Sequence, residues 1–95
     1  ATLSEAVSAQ RNGIVLMWSY YTSGSSTNVS DQMSLYVPKA HVARHPGKGI
    51  ITCLCTTAGT WGWKYTYINN TTITGNACAV SGNNTKWVLQ EVYGV

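Results

Sequence analysis

The sequence predicts an all-β domain, a small sandwich or barrel. Three observations point there. Short apolar runs recur along the chain, separated by turn signals rich in Gly, Asn and Pro. β-Branched residues are abundant. No helical spacing of apolar residues is visible after residue 12. At 95 residues the chain makes one domain with a modest core.

Residues 1–12, ATLSEAVSAQRN, read apart from the rest, being rich in Ala and Ser with Leu3 and Val7 four apart. The segment is too short to hold a helix alone. It is expected to be a linker or the end of a stalk, leaving 13–95 as the domain. The chain opens on Ala1 rather than Met, as expected of a piece cut from a longer protein.

GIVLMWSYY, 13–21, is apolar on both faces: Ile14, Leu16, Trp18 and Tyr20 alternate with Val15, Met17 and Tyr21. A central strand, or one whose second face meets another subunit, has that pattern. TSGSSTNVS, 22–30, is a loop by composition. In QMSLYVP, 32–38, Met33, Leu35 and Val37 alternate with Gln32, Ser34 and Tyr36, and Pro38 ends the strand. KAHVARHPGKG, 39–49, reads as a long connection with a turn at Pro46-Gly47. IITCLCT, 50–56, is strand-like, and TAGT, 57–60, links it tightly to the next strand. Asn69-Asn70 suits a hairpin turn with positive φ, and Asn83-Asn84 a second turn. KWVLQEVYGV, 86–95, is the last strand.

Charged residues are 9% of the chain, against roughly 25% in an ordinary domain. The surface must therefore be built from Thr, Ser, Asn and Gly, which suit neutral hydroxylated ligands. The net charge is +3, but the cations Arg11, Lys39, Arg44, Lys48, Lys64 and Lys86 are scattered. Nucleic-acid binding needs a clustered footprint, so no nucleic-acid partner is expected. GIVLMW is far too short to span a bilayer, which takes about 20 apolar residues, so no membrane insertion is expected.

The ionisable groups are poor material for catalysis. The carboxylates are Glu5, Asp31 and Glu91, too few and too dispersed for a facing pair. His41-x3-His45 followed by Cys53-x-Cys55 supplies zinc-type ligands, but at spacings looser than usual zinc pairs. Neither metal nor cofactor is expected. Cys53, Cys55 and Cys78 are an odd set, read as small buried hydrophobes of a protein folded in a reducing cytoplasm. Pairing of Cys78 with either of the others stays open.

GTWGWKYTYINN, 59–70, puts Trp61, Trp63, Tyr65 and Tyr67 at every second position, hence on one face of a strand. Tyr65 and Tyr67 are expected to pack inward. Trp61 and Trp63, at the start of the run, are expected to remain open at a loop rim as a saccharide platform. Tyr21, Asp31, Asn69 and Asn70 are the expected hydroxyl-binding neighbours.

NGIVLMWSYY, LYVPKAHV, HPGKGI, KYTYI, TTITGN and WVLQEVYGV, in that order, resemble the C-terminal head domain of tail receptor-binding proteins from siphophages of Gram-positive, lactic-acid-type bacteria. The resemblance runs over most of 12–95. It does not cover the segment around Tyr21–Asp31 or TTAGTWGW, so no binding residue is carried over from the family. It implies a small antiparallel, jelly-roll-like β-sandwich head assembling as a homotrimer. It further implies a place at the distal end of a phage tail, in the virion, joined to the rest of the tail through an N-terminal stalk. The function implied is non-catalytic recognition of host cell-wall polysaccharide. The alternatives are a structural module binding other tail proteins and a polysaccharide-cleaving tail enzyme.

Overall fold

The computed structural model describes residues 1–20, 32–55, 59, 61–76 and 87–95. Six strands and one α-helix follow one another: β1 (Gly13–Tyr20), β2 (Gln32–Pro38), α1 (Lys39–Arg44), β3 (Gly49–Cys55), β4 (Trp61–Ile68), β5 (Ile73–Gly75) and β6 (Trp87–Gly94). They form two antiparallel sheets, ordered β2-β1-β6 and β3-β4-β5. The chain is thus mostly β, and β1 is central, as its two apolar faces predict. None of the described helices is long and apolar enough to cross a membrane.

β1 is positioned by its first residue. Gly13 has φ +159°, and a side chain there would run into the Val37 carbonyl oxygen. β1 pairs with β2 without interruption from Gly13↔Pro38 to Ser19↔Gln32. Its pairing with β6 shifts between Met17 and Trp18, so Gln90 has no direct partner on β1. The bulge keeps Leu89 and Val92 on the Trp18 and Leu16 side. Gln90 Oε1 instead accepts hydrogen bonds from Ser19 Oγ and from Gln32 Nε2.

The 39–49 connection holds a helix that the sequence reading missed. Pro38 stands at the N-cap of α1 in an extended conformation (φ −62°, ψ 143°). His45, forced from helical backbone by the following Pro46, ends it at φ −131°, ψ 57°. Val42 is its one buried residue, so six residues gave no periodicity to read. Gly47, at φ +72°, then turns the chain, and its N–H donates to the Ile68 carbonyl.

Residues 1–12, expected as a linker or stalk end, lie along the domain. Ala1 and Ile73 exchange backbone hydrogen bonds of 2.6 and 2.9 Å, and Leu3 N–H donates to the Thr71 carbonyl at 2.8 Å. A 3-10 turn, Val7–Ala9, follows, and Val7 is 0% exposed in the core.

Both sheets feed one core cluster. β1 supplies Ile14, Leu16 and Trp18, β2 Val37 and β6 Trp87; β3, β4 and β5 supply Leu54, Ile68 and Ile73. The inward face of β4 also carries Lys64, 7% exposed, whose Nζ lies 5.9 Å from the centre of the Trp18 ring. Interaction with the ring face offsets part of the cost of burying an ammonium group. Large rings thus come from the first sheet, while the second contributes Thr52, Gly62 and Thr66 to its inward side.

Candidate functional site

The strand that carries the aromatic run is turned the other way from a core strand. Gly62, Lys64, Thr66 and Ile68 are buried, while Trp61 and Trp63 are exposed and Tyr65 and Tyr67 half-buried. The expectation that Tyr65 and Tyr67 pack inward is therefore corrected: all four rings share the outward face. The reason lies in parity. Ile68 is held in the core, and positions alternate strictly along a strand, so every odd-numbered residue of β4 points out. The interior already holds Trp18 and Trp87 from the first sheet, and slender side chains fit against them.

β3 continues that face. Its register sets Ile51 opposite Tyr65, Cys53 opposite Trp63 and Cys55 opposite Trp61. Ile51, Cys53 and Cys55 are all exposed. The two thiols are thus surface groups, not the buried hydrophobes expected, because Thr52 and Leu54 occupy the inward positions. Cys78 lies outside the described residues. The backbone N–H of Cys55, on the outer edge of the sheet, donates to Met33 Sδ at 3.3 Å.

The rings support one another. Tyr65 lies across Gly49, where any side chain would overlap the phenol ring. An aromatic ring so covers the bare backbone of a glycine on an edge strand. Tyr67 meets Tyr65 edge to face, centroids 5.1 Å apart, and its hydroxyl accepts from Asn76 Nδ2 at 2.6 Å. Exposure then rises along the row to 37% at Trp63 and 65% at Trp61.

Of the other expected site residues, Tyr21 and Asp31 lie outside the described residues. Asn69 and Asn70 are exposed but stand just past the far end of β4, about 26–30 Å from Trp61 at ~3.3 Å per residue. They do not join the Trp site. Their role is local: Asn70 takes hydrogen bonds from Val7 N–H and Ser8 N–H, and Asn69 N–H donates to the Thr72 carbonyl. The turn they make uses no positive φ, which among the described residues belongs to glycines alone. Gly49, Ile51, Cys53 and Cys55 were missed as members of the face. Pairing IITCLC in register with the aromatic run would have found them.

His41 and His45 are neighbours, ring centroids 5.2 Å apart, at α1 and its end. Cys53 and Cys55 stand on β3, and among the described residues no three of His, Cys, Asp and Glu gather as a metal site. Glu5 accepts a hydrogen bond from Gln10 Nε2 on the N-terminal arm, whereas Glu91, on β6, stands opposite Met17 of β1. A cavity of about 490 Å³ lies between that arm and β6, lined by Leu3, Glu5, Gln10, Val92 and Tyr93, and holds none of the expected site residues.

No family model, curated protein or solved structure matches the chain.

Proposed function

We propose that the chain is a non-catalytic saccharide-binding head, a small β-sandwich borne as a homotrimer at the distal end of a phage tail. Its target is host cell-wall polysaccharide. The observation that carries this reading is the row of outward rings on β4, open at Trp61 and Trp63. Exposed indoles in a row on a monomer mark a binding surface, and pyranose rings offer apolar C–H faces to stack on them. The common core of both sheets supports the sandwich. Support for the trimer comes from the outer face of the first sheet, where half-buried Val15 sits in register between exposed Tyr36 and Tyr93. Three shallow sites per head would raise a weak sugar affinity through avidity.

A second reading, a module docking on other virion proteins, draws on Ile51, an exposed aliphatic residue beside Tyr65. Titration of the chain into cell-wall polysaccharide from lactic-acid bacteria, with polymer size followed, separates the possibilities. Binding without shortening supports the saccharide-binding head. Shortened polymer indicates a tail enzyme. Absence of binding favours the docking module.

A further inference from the structure

We infer that the row takes a neutral, extended glycan lying along β4 and covering at least three sugar units, an inference that rests on the saccharide-binding reading above. Three observations carry it. The first is charge. β3, β4 and β5 contain a single charged residue, Lys64, and it points inward, 7% exposed. The outward face offers Gly49, Ile51, Cys53, Cys55, Thr74, four aromatic rings and the Asn76 amide, and among the described residues nothing on it neutralises a phosphodiester or a uronate. Polyanion recognition depends on such cations.

The second is spacing. Trp61, Trp63 and Tyr65 follow at two-residue steps, about 6.7 Å each along a strand. One ring per step is comparable to one pyranose unit of an extended chain. A compact monosaccharide site would instead need rings and polar groups converging on one point, and Asn69 and Asn70 stand at the far end of β4 from the indoles.

The third is the pose of Tyr65. Lying across Gly49, it is held low against the sheet, while Tyr67 stands edge-on to it with its hydroxyl fixed by Asn76. Tyr65 thus extends the indole platform, and Tyr67 closes its end. Gly49 acts as a positioning residue: a methyl group there displaces the phenol ring, the movable end of a side chain, without obstructing backbone.

The test uses cell-wall polysaccharide of lactic-acid bacteria, separated by anion exchange into neutral and anionic fractions and then by size. Binding of the full chain is measured by calorimetry at low and at tenfold higher salt. The neutral fraction is expected to bind with less than about a twofold change across that salt range, because uncharged contacts are not screened. Chains shorter than three sugars are expected to bind at least about tenfold more weakly, as stacking contacts are lost. Gly49→Ala is expected to weaken binding of long chains about fivefold or more, through loss of a pre-formed ring pose, with the circular-dichroism spectrum unchanged. Binding confined to the anionic fraction, or lost at high salt, overturns the inference and leaves the saccharide-binding reading intact. So does equal affinity for one sugar and for the polymer. Failure of every fraction to bind overturns both.

Discussion

The same chemical deletion at two tryptophans gives opposite results if the outward row is a binding surface. A fully enclosed Trp covers as much as about 250 Å². Trp87, 2% exposed, gives up nearly all of that on replacement by Ala, and Trp61, 65% exposed, about a third of it. At about 25 cal/mol per Å², the areas correspond to ~6 and ~2 kcal/mol. Both are upper bounds, since the unfolded chain already covers part of its surface. Core deletions of large aromatics cost ~3–5 kcal/mol, so Trp87→Ala is expected at ~4 kcal/mol and Trp61→Ala at ~1 kcal/mol. For a domain of this length each kcal/mol moves the melting temperature by ~4–8 °C. Trp87→Ala should therefore lose 16 °C or more, by the same ~4–8 °C scale, and Trp61→Ala about 4–8 °C.

Binding reverses the order. An aromatic anchor costs ~2 kcal/mol or more when truncated, which is about 30-fold in Kd. Thermal unfolding by circular dichroism and titration with cell-wall polysaccharide, on both variants, supply the four numbers. The reasoning is refuted if Trp61→Ala melts as low as Trp87→Ala. It is equally refuted if Trp61→Ala binds within about twofold of the unchanged protein, well below the loss expected of an anchor.

Three further outcomes follow from the fold and from the proposed trimer. Cys53 and Cys55 should both be alkylated by iodoacetamide in the native protein, read by peptide mass spectrometry, since both stand exposed; protection of either until denaturant is added contradicts the outward face. Val7→Ala should destabilise the domain by ~1–2 kcal/mol, because it removes two fully buried methyl groups' worth of packing from the core; an unchanged denaturation midpoint would return residues 1–12 to the role of a linker. Light scattering should give the mass of three chains, and Tyr36→Glu should dissociate them by placing a charge in a desolvated contact; a single-chain mass for the unchanged protein at micromolar concentration contradicts the trimer.

Five of the six strands were legible because period-2 patterning and turn residues are local signals; the three-residue β5, Ile73–Gly75, is too short to show a period and was not read. β1 read as central from two apolar faces, and β2 from its alternation ending in Pro38. α1 was not legible, since six residues with one buried side chain carry no period. The orientation of β4 was not legible either. Its aromatic set is the more hydrophobic of the two, and local pattern sends that set inward. What decided otherwise is remote in sequence: Trp18 and Trp87 fill the interior from another sheet. The same remoteness hid the separation of Asn69 and Asn70 from the indoles, which depends on the full length of the strand.

An outward apolar row is a liability for a soluble β protein, and its cost is unevenly distributed here. At the Ile68 end the rings cover themselves: Tyr65 rests on Gly49, and Tyr67 is buttressed by Tyr65 and Asn76. At the other end no comparable device among the described residues conceals Trp61, which keeps two-thirds of its surface in water. Were the row merely misplaced core, a polar residue would be tolerated best at that most exposed ring, where substitution disturbs the least buried contact. An indole at the most exposed point of a graded row is the placement the proposed saccharide-binding reading requires. Under the proposed saccharide-binding reading the grading has a functional sense: the buttressed Tyr end would fix the geometry of the platform, and the open Trp end would supply the area that binding removes from water.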